Sequence, residues 1–431
     1  MTPGTRAGYA LGSLATGAFG TVPGLLLLPF LTDRLGVQSA VAGVLVLLPK
    51  AWDVLFNPVA GRISDRSTHP LGPRRPFLLR GGLALAVLFA LMFLPPLAGS
   101  PLGDGAYVAA LFLACATAFA FFQVPYMAMA AELTDDYDER TRLMSWRVAM
   151  LAVAILLAGA GAPLVRDAFD SYRVMGLAVA ALILVGTLGV YLGTRNVPVA
   201  RVTSAGARFG ELLAAVRESR AFRTLLLAFV IQAVGIGTVL AGVDYLARVV
   251  LHDAGQQPVL FAGFIGPALL VMPVLQRVGA RWGKLRGYQG ATVLFGVAIA
   301  GVAFVPPTPV LMVLVALTGV GYAGLQVFPM AMLPDIISTE QARTGDARSG
   351  LFSGVWTAGE TLGLALGPGL FGLVLSLGGY ISGGTAEQPA SAATAITLGF
   401  TLIPAVLVLA VLPLLRRSVV EPDRSPADAG E

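Results

Sequence analysis

The sequence predicts an all-α membrane protein of twelve transmembrane helices arranged as two six-helix repeats. Three observations carry that expectation. Of 431 residues, 56% are hydrophobic and only 12% charged, about half the charge of ordinary soluble domains. Apolar runs long enough to span a bilayer recur from end to end. Two related heptapeptides lie about half a chain apart.

The apolar segments fall at 7–31, 37–60, 76–98, 106–131, 142–165, 172–194, 223–250, 258–279, 289–306, 309–334, 348–378 and 392–415. Each covers roughly 30 Å of hydrocarbon as a helix, some with tilt. Pro and Gly are frequent within them, as membrane helices tolerate when neighbours satisfy the freed backbone groups. With the N-terminus inside, 24 of the 29 Lys and Arg fall in cytoplasmic segments. Four lie outside (Arg34, Arg166, Arg173 and Arg248), and Lys50 lies within a span. The positive-inside rule therefore places both termini in the cytoplasm.

The N-terminal stretch MTPGTRAGYALGS runs straight into the first span, without the short apolar core and cleavage site of a signal peptide. Cys115 is the only cysteine, which excludes an internal disulfide. His69 and His252 are isolated at loop positions, too few for a metal centre. The net charge of +5 is spread between spans as orientation signals, so nucleic acid is not the expected partner. The organisation that follows is a six-helix bundle over 1–194, a cytoplasmic linker over 195–222 and a second bundle over 223–431. In the linker, Phe209, Leu212, Leu213 and Val216 recur at helical spacing beside Arg208, Glu211, Arg217 and Arg220. That pattern fits a short amphipathic helix on the inner membrane surface or a plain solvated connection.

The repeat pairs FFQVPYMAMAAELTD (121–135) with LQVFPMAMLPDIIS (325–338). Gln123 matches Gln326, and an acidic residue, Glu132 or Asp335, follows at the cytoplasmic end of each. The loop GRISDRSTHPLGPRRPF has a weaker partner in QRVGARWGKLRGYQG. Six-span units repeated in the same orientation are the layout of the major facilitator fold.

Lys50, Asp53 and Asn57 occupy positions i, i+3 and i+7 of the second apolar segment and so share one helical face. A mid-membrane charge costs about 2.5–3.5 kcal/mol on insertion scales, so such residues face inward and find partners. They form either a protonation or cation site or a static Lys50–Asp53 pair. Glu360 in the eleventh segment is a second ionisable candidate, or a buried neutral carboxyl. Asp244 reads equally well as functional or as a solvated edge of the seventh segment.

KAWDVLFNPVAGRISDRS with GPRRPF, VPYMAMAAELTDDYDERTRLMSWR, and LPDIISTEQARTGDARSGLFSGVWTAGETLG lie in both halves. On these stretches the chain resembles the glycoside–pentoside–hexuronide:cation symporters, a branch of the major facilitator superfamily. The resemblance implies a cation site built on Lys50, Asp53 and Asn57, with Gln123 and Glu360 at two further cation-site positions. Asn57 and Gln123 stand where the family carries carboxylates, and Glu360 where it carries a lysine. Gly17 matches an acidic sugar ligand of galactoside-transporting members, and Arg147 their arginine. Fewer carboxylates suit a proton better than sodium, a hard cation that wants several oxygens.

The expected function is therefore cation-coupled symport, proton favoured over sodium, of a sugar or glycoside by alternating access. The alternatives are an amphipathic solute such as a lysophospholipid, or uncoupled transport. The cavity candidates are Gly17, Trp52, Tyr126, Arg147, Gln326 and Trp356, with the substrate path between the halves. The cytoplasmic gate candidates are Arg62, Asp65, Arg66, Arg75, Glu132, Asp136 and Arg140, with Asp335, Arg343 and Arg348 in the second half. No Walker-type loop is present in the sequence, since GARWGKLRG has the wrong spacing and lacks the hydroxyl. ATP-driven transport is therefore not expected; no nucleophile–base constellation stands out for an enzyme, and a six-plus-six repeat does not suggest a channel built from identical rings. The expected setting is the bacterial cytoplasmic membrane as a monomer. Its partners are a small solute, a coupling H+ or Na+ and the lipid bilayer, with no cofactor.

Overall fold

The computed structural model describes residues 2–67, 69–94, 99–134, 136–197, 219–305, 307–344, 349–383 and 387–415. The expected linker helix falls on 198–218, outside the described residues. Helices dominate what is described: α1 (Pro3–Val22), α2 (Ser39–Asp65), α3 (Arg75–Met92), α4 (Pro101–Leu133), α5 (Tyr137–Phe169) and α6 (Tyr172–Thr194). The second half contributes α7 (Arg220–Tyr245), α8 (Gln256–Trp282), α9 (Lys284–Val302), α10 (Thr308–Thr344) and α11 (Ser349–Leu377). The last apolar segment is broken at Thr401 into α12 (Ala390–Phe400) and α13 (Leu402–Leu409). Pro404 explains the break, because it has no N–H to return to Phe400.

Among the described residues, eleven helical stretches are long and apolar enough to cross a membrane. The twelfth is α9, whose start carries Lys284 and Arg286. Helix starts follow local chemistry. Thr2 and Ser100 accept hydrogen bonds from the backbone N–H of Thr5 (3.3 Å) and Gly103 (3.2 Å), each just before a proline at the first helical position.

The chain forms two compact units. Unit 1 comprises Met1–Gly206, Val243–Phe261 and Gly372–Ala393, and unit 2 comprises Ala207–Gly242, Ala262–Phe371 and Thr394–Glu431. Within unit 1, α1 packs on α5 and α6, α3 on α4 and α6, and α2 on α4. Within unit 2, α9 packs on α10 and α13.

The repeat is written in backbone hydrogen bonds. After α1 the chain makes π-type turns, with Leu35 N–H to Phe30 C=O (3.2 Å) and Val37 N–H to Leu31 C=O (2.9 Å). After α7, Leu251 bonds Leu246 and Asp253 bonds Ala247, both at 2.9 Å. Every partner lies 216 positions on (251 against 35), and the left-handed residues Gly36 (φ 70°) and His252 (φ 55°) keep the same offset. Helices α5 and α11 likewise end in matching Schellman turns, Ser171 to Arg166 and Tyr380 to Leu375, each at 3.0 Å. Their left-handed residues are Asp170 and Gly379, 209 positions apart (379 against 170).

Close crossings repeat as well. A Cβ on Gly17 would come within 2.6 Å of Ala154 Cβ where α1 meets α5. A Cβ on Gly363 would come within 2.7 Å of Ala233 Cβ where α7 meets α11. The same two offsets relate the pairs, with glycine and alanine exchanged between helices. Small residues let membrane helices approach this closely. Gly17→Leu and Gly363→Leu should each cost about 1–3 kcal/mol by overpacking and lower the thermal midpoint of the detergent-solubilised protein. Gly20→Ala should be neutral, because nothing lies within 4 Å of that position. Equal midpoints for Gly17→Leu and the parent would refute the crossing.

Candidate functional site: a buried charge site and two ionic clusters

Helix α2 is apolar on most of its length, and Asp53 is 4% exposed on it. Its Oδ1 is buried and has no hydrogen-bond partner among the described residues. Lys50 makes no ion pair with it there. The ammonium lies over two rings instead, 5.0 Å from the centre of Phe19 and 5.9 Å from Phe112. Cation–π attraction of this kind strengthens when water is excluded. Lys50 is thus held by α1 and α4, while Asp53 keeps acceptor capacity. Asn57 is half-buried one turn on, and α4 brings the half-buried Gln123 to the helix that packs on α2. Trp52 donates from its indole to Thr117 Oγ1 (3.0 Å) and stacks on Phe56.

A second polar group joins α1, α4 and α5. Tyr9 and Tyr126 exchange hydrogen bonds, each hydroxyl donating to the other's carbonyl at 3.0 and 2.9 Å. Ser13 Oγ lies 3.1 Å from Tyr126 Oη and donates to Arg147 C=O (3.0 Å). The Arg147 guanidinium sits 5.5 Å from the Tyr126 ring centre, with Nε unpartnered among the described residues. In unit 2, Gln326 donates to Glu360 Oε1 (3.3 Å), and Tyr322 stacks obliquely on Phe264.

Two cavity candidates are packing residues. Gly17 fills the α1–α5 crossing, so its position admits no larger side chain. Trp356 is 1% exposed and stacks on Phe229 at 4.3 Å, with Nε1 unpartnered among the described residues.

The cytoplasmic gate candidates divide. Arg74 binds Glu132 (2.8 Å), Ser64 (2.8 Å) and Asp65, and the side chains of Arg74 and Glu132 are 4% and 1% exposed. Burial pushes the Glu132 carboxyl above its ordinary range, and Arg74 pulls it back. Arg75 donates to the carbonyls of Thr194 (2.7 Å) and Val197, closing the end of α6. Asp136 caps α5, accepting from Glu139 N–H (3.0 Å). Arg6 grips Glu139 at 2.8 Å, across 133 positions of sequence. Arg62 and Arg66 are exposed. Asp335 accepts from Lys284 at 2.5 Å, an exposed counterpart of the Arg74–Glu132 pair. The side chains of Arg140 and Arg343, and all of Arg348, lie outside the described residues.

A cluster at the opposite end of unit 1 had no sequence signal. Asp244 is fully buried rather than a solvated edge, because Arg166 reaches it at 2.6 Å and Arg248 also pairs with it. Arg166 further binds Asp167 (2.7 Å) and Gln257 (3.1 Å). Arg248 bridges to Asp33, whose Oδ1 also accepts from Tyr380 Oη (2.7 Å). A cavity of about 530 Å³ lies against Arg166 and Arg248 and is walled by Arg34, Asp104, Tyr172 and Arg173.

Apolar helices in this number, with charge confined to buried clusters and helix ends, define a multi-pass membrane transporter of the major facilitator fold. A solved nucleoside transporter, NupG (D323A mutant), matches it with a TM-score of 0.74 at 14% identity, over 96% of this chain and 99% of that one. The family model described as MFS/sugar transport protein matches residues 8–420, and the chain belongs to that family. It is a family of transporters, not of enzymes. Among its relatives, an uncharacterized symporter, YnaJ, of Bacillus subtilis (strain 168) is 27% identical over 95% of this chain and 90% of its own. A putative glycoside/cation symporter, YagG, of Escherichia coli (strain K12) is 26% identical over 94% and 90%. A glucuronide carrier protein homolog of the same organism is 25% identical over 94% and 91%.

The Arg74–Glu132 and Lys284–Asp335 pairs should respond unequally to mutation. Arg74→Ala strands a buried carboxylate and should cost about 3–5 kcal/mol. Lys284→Ala breaks an exposed pair worth about 0–1 kcal/mol. Thermal unfolding in detergent compares them, and equal losses would contradict the burial difference.

Proposed function

We propose that this protein is a cation-coupled symporter of a sugar or glycoside, with the proton as the coupling ion and Asp53 as the group that carries it. The observation that supports this most directly is the state of Asp53, a buried carboxylate with a free acceptor oxygen beside a lysine held elsewhere. A static ion pair would have consumed both charges. Here Lys50 rests on Phe19 and Phe112 instead. The side chains at 57 and 123 are carboxamides. One titrating carboxylate is enough for a proton, whereas sodium needs several oxygens at once.

The relatives named above as symporters support coupling, and the glycoside symporter and glucuronide carrier homolog support a sugar-like solute. Arg147, whose Nε is unpartnered among the described residues, offers a donor suited to a hydroxyl-bearing ring. Gln326 and Glu360 form a polar pair within unit 2. The solute is bound near mid-membrane and exposed to one side and then the other, and protonation of Asp53 adjusts which state is favoured. Both termini face the cytoplasm, and the membrane is the bacterial plasma membrane.

In proteoliposomes loaded for counterflow, Asp53→Asn should abolish gradient-driven accumulation of the transported glycoside and leave exchange running. Accumulation at the parent's level would remove Asp53 from coupling. A pH step of one unit in sodium-free buffer should drive uptake by the parent protein. Uptake that required sodium would replace the proton with that ion.

A further inference from the structure

We propose that Arg277, Arg281 and Arg286, gathered with Trp282 at the turn between α8 and α9 in unit 2, form a binding site for an anionic phospholipid. The headgroup phosphate lies among the guanidinium groups, and the acyl chains run along the apolar continuation of the same two helix faces. The inference does not depend on which solute or ion the protein carries.

Charge at this turn is one-sided. No Asp or Glu occurs between Asp253 and Asp335, whereas the stretch QRVGARWGKLRG holds Arg277, Arg281, Lys284 and Arg286. Lys284 is engaged with Asp335 and with the Ala331 carbonyl (2.9 Å). The three arginines are exposed and make no hydrogen bond or ion pair among the described residues. The corresponding loop of the first half behaves otherwise. There Arg74 binds Ser64, Asp65 and Glu132, and Arg75 closes the end of α6. The second half keeps the basic loop and leaves its arginines without a protein anion among the described residues.

Placement along the helices matches a lipid. Helix α8 ends at Trp282 and α9 begins at Lys284, so only Gly283 separates them. On α8 the exposed residues Leu270, Val274, Arg277 and Arg281 follow at spacings of 4, 3 and 4, which is one helical face. On α9 the exposed residues Arg286, Gly290, Val293 and Val297 repeat that spacing, and nothing lies within 4 Å of a Cβ at Gly290. Each face is therefore basic beside the turn and apolar beyond it. From Arg281 to Leu270, or from Arg286 to Val297, it runs about 16 Å at the usual helical rise, close to one leaflet of hydrocarbon.

Trp282 is 68% exposed at the turn itself, and tryptophan is enriched where membrane proteins meet the headgroup layer. Helix α9 starts without a side-chain cap, so the unpaired N–H groups of its first turn and the positive end of its dipole lie at the same turn. Orientation signalling, the other role of basic loops, asks only for positive charge beside a span. It does not ask for an exposed tryptophan, nor for arginines in register with an apolar stripe on each helix. A free phosphate would use the guanidinium groups and ignore the stripes, and the stripes therefore favour a lipid.

The test uses the full chain reconstituted in phosphatidylcholine vesicles that contain a minor fraction of phosphatidylglycerol, with one lipid or the other brominated on its acyl chains. Bromine quenches tryptophan on contact, and the Trp282 signal is the part of the fluorescence lost in Trp282→Phe. Corrected for bulk composition, phosphatidylglycerol should be enriched at least about fivefold around Trp282, equivalent to roughly 1 kcal/mol. Arg277→Gln with Arg281→Gln and Arg286→Gln should bring that ratio to about one, and Arg286→Gln alone to about half the parent's. The single variant carries the test if the triple variant fails to insert. Arg62→Gln with Arg66→Gln, two exposed arginines of unit 1, should leave the ratio unchanged. A ratio near one in the parent, or the parent's ratio in the arginine variants of the turn, would overturn the site. An equal fall in the Arg62 and Arg66 variant would overturn it by showing that the attraction is diffuse. Displacement of the brominated phosphatidylglycerol by inorganic phosphate at constant ionic strength would replace the lipid with a free anion.

Discussion

Every charge that the fold buries has to be met by something other than water, and the rest of the architecture follows from how each is met. Lys50 is met by two phenyl rings, Arg166 by two aspartates and a glutamine, and Arg74 by two carboxylates and a hydroxyl. Burial without such partners costs several kcal/mol for each ion. Helices from different parts of the chain are therefore obliged to deliver the partners to the same place. Asp53 is met differently: its Oδ1 is buried without a partner among the described residues, and the nearby lysine rests on rings. A group left in that condition is poised to take up a cation, and this gives the reading of α2 as the coupling helix its physical basis.

The fold was legible because hydrophobic spans and positive loops are one-dimensional signals. A run of apolar residues needs no partner to be recognised, and the heptapeptides at 121–135 and 325–338 revealed the doubling. The helix ends agree with the apolar segments to within a few residues in most cases, and α9 begins earlier because its first turn is basic. The face of Lys50, Asp53 and Asn57 was equally local. The cluster around Asp244 was not, since its members come from positions 33, 166, 244, 248, 257 and 380. Nothing in the neighbourhood of Asp244 distinguishes a residue gripped by two arginines from one at a wet helix end. Gly17 misled for a related reason: its place in a family pattern spoke of ligands, whereas its place in the α1–α5 crossing is governed by a methyl group 137 positions away, on Ala154.

The halves share a frame and differ in chemistry. Arg74 with Glu132 is sealed and Lys284 with Asp335 is wet, although both join the start of a third helix to the end of a fourth. The first half holds a lysine over aromatic rings, and the second holds a glutamate against a glutamine.

The turns that close α1 and α7 show how such divergence is possible. They preserve the same pattern of main-chain bonds, yet FLTDRLGV and LARVVLHD have almost no side chain in common. Every residue except proline carries the same N–H and C=O, so substitution passes through such a motif without erasing it. Ancestry is therefore stored in a medium that point mutation scarcely reads. The same frame accepts a glycine at position 36 and a histidine at 252, both left-handed, where residue identity no longer shows that the two halves correspond.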